Sequence, residues 1–84
     1  MNWIEFACLD WRFASHVATA DYHVRTRTAK AYGHTFGICY YTPTEEYRLE
    51  HPHARSVEHY KIDGTVYKTR KKLLEALNAL IKEE

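Results

Sequence analysis

Six histidines and two cysteines are the residues of this chain best suited to proton transfer, nucleophilic attack or metal ligation. Cys8 and Cys39 stand far apart, outside any C-x-x-C pair, and no nucleophile motif surrounds either. His51-x-His53, joined by Cys8, Cys39 or His59, would make a four-ligand zinc set. Structural zinc sites usually carry paired ligands at short spacing, and only His51 and His53 are close, so a loop with two solvated histidines is the expectation. No Gly-rich phosphate loop, paired-carboxylate motif or serine-based signature is present. The sequence therefore points to no catalytic residue, no metal and no cofactor. A small nuclease running on His, Arg and Tyr alone stays open, because acid–base work needs little sequence context.

The charged residues point to binding. Lys68, Arg70, Lys71 and Lys72 surround the predicted first turn of a C-terminal helix, where cations oppose the helix dipole. Glu83 and Glu84 oppose it at the far end. Free N–H groups at a helix start attract anions, and these cations would add to that pull. A solvated face with a Lys71–Glu75 pair would have the same sequence. Arg25 and Arg27, with His23 beside them and Lys30 nearby, line one side of a predicted strand. Basic residues beside aromatics on a sheet can track a nucleic-acid backbone and stack its bases. Charges that protect an edge strand look the same.

The 84 residues make one domain with one modest core. A net charge of +1 argues for neither a mimic of DNA nor a strongly basic nucleic-acid binder, although local patches can still matter. Seven tyrosines exceed what so small a core normally hides, so some are expected on a binding surface. Partial protonation of the histidines below about pH 6.5 would make the chain clearly cationic. The N-terminus has no basic n-region and no long apolar run, and no segment approaches a membrane span. A cytoplasmic protein with two reduced, mostly buried thiols is expected.

The elements that must position these residues are unevenly legible. Asn2 and Glu5 resemble a capping box, which would open a helix whose apolar residues run nearly all round. Ile4, Cys8 and Trp11 would share one face; Phe6, Leu9, Phe13 and Val17 would share another. A strand over Trp3–Cys8 is the alternative for residues 2–18. Residues 21–32 read as a strand with Tyr22, Val24, Thr26 and Thr28 on one side. Gly33 marks a turn, and His34–Tyr41 reads as a second strand with Phe36, Ile38 and Tyr40 together. Gly37 inside it signals a bulge or a close approach. Thr42 as cap and Pro43 at the first position predict a short helix, ended by His51-Pro52-His53. Ser56–Ile62 and Thr65–Lys68 pair through Asp63-Gly64, with Ile62 opposite Thr65 and Tyr60 opposite Tyr67. Thr69 then caps a helix from Arg70 to about Lys82, with Leu73, Leu77, Leu80 and Ile81 as its apolar stripe.

The expected fold class is α+β: an antiparallel sheet of three to five strands with the C-terminal helix on one face. The expected function is a small non-enzymatic module that binds a protein partner, a macromolecular complex, and blocks its surface. Exposed Tyr and Arg dominate such interfaces. In genre the chain resembles phage and mobile-element host-takeover proteins, anti-CRISPR inhibitors among them; that likeness rests on size and lack of motifs and on no particular residue. Direct nucleic-acid binding through the same cations is the alternative. The candidate binding residues are Arg25, Arg27, Tyr41, Lys68, Arg70, Lys71 and Lys72. The oligomeric state is left open, although Tyr-rich edge strands would suit a dimer by sheet extension.

Overall fold

A computed structural model describes residues 1–81. Five antiparallel strands follow one another across a single sheet: β1 (Arg12–Ala18), β2 (Tyr22–Ala31), β3 (His34–Pro43), β4 (Val57–Ile62) and β5 (Thr65–Tyr67). Three helices accompany them: α1 (Trp3–Ala7), α2 (Glu45–Glu50) and α3 (Arg70–Ile81). The α+β expectation holds, at its upper limit of five strands. None of the described helices is long and apolar enough to cross a membrane.

The two tight hairpins follow from local chemistry. Tyr32-Gly33 and Asp63-Gly64 both take positive φ at each central position, the requirement of a two-residue turn that matches the strand twist. The β4–β5 register is the expected one, Ile62 with Thr65 and Tyr60 with Tyr67. Asp63 also ties its turn to the neighbouring hairpin. Its Oδ1 accepts from the Thr35 backbone N–H at 2.9 Å, and its Oδ2 meets His34 Nδ1 at 2.6 Å. The Thr35 N–H first, and His34 second, hold the Asp63 carboxyl below the usual carboxylate range. A carboxylate depressed on folding stabilises the fold above its unfolded pKa, and that contribution fades as pH falls through the folded value. Asp63→Asn keeps a residue that tolerates positive φ and removes the charge. It should lower the melting temperature at neutral pH, and the gap to the native chain should close as pH falls below about 4. A gap of constant size from pH 7 to pH 2 would show that the carboxylate charge contributes nothing.

The core lies on one face and toward one end of the sheet. Phe36, Ile38, Tyr60 and Ile62 are buried there beneath Leu73 and Leu77 of α3 and Phe6 of α1. Phe6 is fully buried, with its ring 5.0 Å from Trp11, 5.5 Å from Trp3 and 5.8 Å from Phe36. The expected Thr69 cap forms: its Oγ1 accepts from Lys72 N–H at 3.2 Å. In the expected apolar stripe of α3, Leu73 and Leu77 are buried and Leu80 is 37% exposed; the Ile81 side chain lies outside the described residues. Lys82, Glu83 and Glu84 lie outside the described residues.

Four expectations need correction. Residues 2–18 are neither one buried helix nor a strand over Trp3–Cys8. Asn2 does cap a helix, accepting from Glu5 N–H, but that helix ends at Ala7 and the chain then enters β1. Phe13 and Val17 are 70% and 55% exposed, so the apolar period reflects no buried helical face. The cap of α2 is Thr44, not Thr42, and Pro43 ends β3. Thr44 is drawn there by the connection between β1 and β2: its N–H donates to Asp21 O and its hydroxyl to Ala20 O. Of the two readings of Gly37, the bulge does not form, as the register runs through it on both sides, and the close approach does, since a Cβ there would sit 3.4 Å from Lys61 Cβ. Both cysteines are free as expected, but Cys8 is exposed and only Cys39 is buried.

Candidate binding face

The registers place side chains in rows across the sheet. One row runs Phe13, Arg27, Ile38, Tyr60, Tyr67. The next runs His16, Arg25, Tyr40, Glu58. Both belong to the face that carries the core, because Phe36 and Ile62 follow in the same alternation. Arg25 and Arg27 are therefore not on the side opposite the helices. They stand on the same side, where α1 and α3 stop short of the sheet's end.

That uncovered end is concave, basic and aromatic. Trp3, Ala7, Trp11, Arg27, Ile38, Tyr40, Glu58 and Arg70 line a shallow hollow of about 210 Å³. A second hollow beside it is lined by Trp11, Phe13, His16, Arg25 and Arg27. Trp11 is held by its indole N–H, which donates to Phe6 O at 2.9 Å. The Arg70 guanidinium lies 3.9 Å above the Trp3 ring, a cation–π contact that fixes both. Tyr60 O–H donates to Glu58 Oε2 at 2.7 Å. Burial first, and Glu58 second, push the Tyr60 phenol up to about 12, with Arg70 pulling the other way. The phenol thus stays a proton donor to Glu58 through the neutral range. The His16 and His23 rings are 5.6 Å apart at the far end of the face. Among the described residues the ion pairs are Arg12–Asp10 and His34–Asp63, so Arg25, Arg27 and Arg70 are in none.

The candidate binding residues are divided by the fold. Arg25, Arg27 and Arg70 meet on this face. Lys68, Lys71 and Lys72 are exposed around the first turn of α3, but Arg70 has left that group for Trp3, and the Lys71–Glu75 pair is not among the ion pairs of the described residues. Tyr41 lies on the opposite side of the sheet, its ring 5.0 Å from His59. Tyr60 is buried, Tyr32 is exposed, and the other five tyrosines are half-buried. His51 stacks on Tyr47 at 4.5 Å and Tyr47 on Tyr22 at 5.0 Å. Among the described residues no three of His, Cys, Asp and Glu are grouped to hold a metal ion.

Trp3, Trp11, Phe13, Tyr40 and Glu58 belong to the face and were not singled out by sequence reasoning. Tyr40 was recoverable, since it alternates with Ile38 and Phe36. The two tryptophans were hidden inside a segment whose structure could not be read. Comparison with protein-family models, with curated proteins and with solved structures gives no match for this chain.

Proposed function

We propose that the protein is a non-enzymatic binding module that occupies, and so blocks, the surface of a macromolecular protein partner. The observation that carries this reading is the uncovered sheet end, where Arg25, Arg27 and Arg70 frame Trp3, Trp11, Phe13 and Tyr40. Aromatic and arginine side chains that become fully desolvated near the centre of an interface supply most of its binding energy. Phe13, 70% exposed, shares a hollow with Trp11, so the apolar exposure there is grouped and not single. Direct nucleic-acid binding is the second reading, favoured by two arginines without ion-pair partners beside aromatics on a sheet. Glu58, which lines the first hollow, weighs against it, because a carboxylate repels phosphate.

A tagged pull-down from native host lysate, with and without nuclease, separates the two. The expected result is a stoichiometric protein that survives nuclease and is retained from low to moderate salt. A captured set that disappears with nuclease, with steeply salt-dependent binding to bare DNA or RNA, would replace this reading with the nucleic-acid one.

A further inference from the structure

We propose that the free edge of β1 receives an acidic, extended segment of the partner as a sixth strand, read by Phe13, His16, Arg25 and Arg27. The proposal deepens the binding-module reading and rests on it. All seven residues of β1 are exposed, although the strand is paired with β2 along its length. The chain leaves its outer row of backbone donors and acceptors to solvent. Natural edge strands are usually blocked by lysine, proline, inward charge or a bulge. Here the blocking devices are confined to one end, with Arg12 tied to Asp10 and a bulge between Phe13 and Ser15. Beyond them Ser15, His16, Val17 and Ala18 carry no proline, lysine, arginine or carboxylate. Main-chain pairing along such an edge supplies affinity, and alternate side chains supply specificity.

Charge decides what pairs there. His16 and Phe13 stand on β1 itself, and Arg25 and Arg27 are their partners one strand inward. An added strand would lie roughly 10 Å from the arginine backbone, two strand spacings away. A glutamate from the added strand and an arginine from β2 close that gap between them. A second copy of this chain paired edge to edge would instead bring two His16–Arg25–Arg27 faces together. Asp10, which precedes β1, already pairs with Arg12, and Glu58 lies three strands inward on β4. The edge therefore favours an acidic segment over itself. It also differs from the Tyr-rich edge the sequence suggested, since β1 holds no tyrosine.

The test uses the whole chain, ¹⁵N-labelled, with three blocked heptapeptides: alternating Glu and Val, the same with alternate amides N-methylated, and alternating Lys and Val. The Glu/Val peptide is expected to slow amide exchange within Ser15–Ala18. Its affinity should fall about tenfold or more on N-methylation, and by a similar factor with Arg25→Glu/Arg27→Glu. Equal binding of the N-methylated peptide would overturn strand addition while leaving the arginine face as a binding site. Equal binding of the Lys/Val peptide, or shifts confined to other elements, would overturn the proposal too. So would protection of Ser15–Ala18 that rises with protein concentration alone, which would assign the edge to a second copy. Lysate capture does not depend on any peptide, so the module reading stands or falls separately.

Discussion

Phe6→Ala should remove about 3–5 kcal/mol of stability, the range for emptying a buried phenylalanine site. A domain of this length has on the order of 4–13 kcal/mol in total. The variant should therefore be partly unfolded in low denaturant or near physiological temperature. The argument is geometric. Phe6 is fully buried and touches rings from α1, from the α1–β1 connection, from β3 and from β4. It is the one fully buried side chain by which the five-residue α1 enters the core. A helix that short has no stability of its own. Without the ring, Trp3 and Trp11 lose their support, and the cation–π contact of Arg70 goes with them. Denaturant unfolding followed by tryptophan fluorescence checks this. A lowered midpoint should come with a red-shifted native spectrum, as both indoles become wet. Ile4→Ala on the same helix should change stability by less than about 0.5 kcal/mol, since Ile4 is 72% exposed. If the two variants were equally stable, α1 would be an appendage and the hollow would need another floor.

How far the sequence reveals this arrangement depends on whether each feature is local. Asp63-Gly64 could be read because positive φ at both positions is a property of two residues. Thr69 could be read because a cap reaches only three residues ahead. The strand alternation from Tyr22 to Thr28 could be read for the same reason. Residues 2–18 could not, because Phe13 and Val17 are exposed apolar residues whose spacing imitates a buried helix. The bulge between Phe13 and Ser15 also shifts the strand's own period. Thr42 and Thr44 both flank Pro43, and the choice between them is made by Ala20 and Asp21, distant in sequence. The position of the site is a matter of lengths. A ten-residue strand extends about 33 Å, whereas a twelve-residue helix extends about 18 Å. One helix cannot cover β2 and β3 from end to end. Alternation therefore identified Arg25 and Arg27 as sharing a side, but only the docked position of α3 shows that they stand beyond its reach on the core side.

Arg27→Ala should weaken binding to the captured partner by about 30-fold or more, the equivalent of roughly 2 kcal/mol. Arg27 and Trp11 line both hollows, and Arg27 stands between Phe13 and Ile38 in its row. Arg27 is exposed in the free protein, and a partner that closes over it shuts out that water. Truncation then leaves the partner's acid buried without its counter-charge, which is where large losses arise. Lys71→Ala and Lys72→Ala should each cost less than about fivefold, because long side chains around an exposed helix turn behave as rim charges. Their effect should shrink further with added salt, since exposed charges are screened over a few ångströms at high ionic strength. Tyr41→Ala reports on the opposite side of the sheet, where Tyr41 packs on His59. It should leave affinity unchanged if the partner occupies the arginine face alone. Titration calorimetry on the four variants, at two salt concentrations and with folding checked by melting, reads all of these at once. Loss concentrated at Lys71 and Lys72, with Arg27 neutral, would move the site to the start of α3 and make the helix terminus the anchor. Loss concentrated at Tyr41 would turn the molecule over and make the Tyr41–His59 side the one that meets its partner.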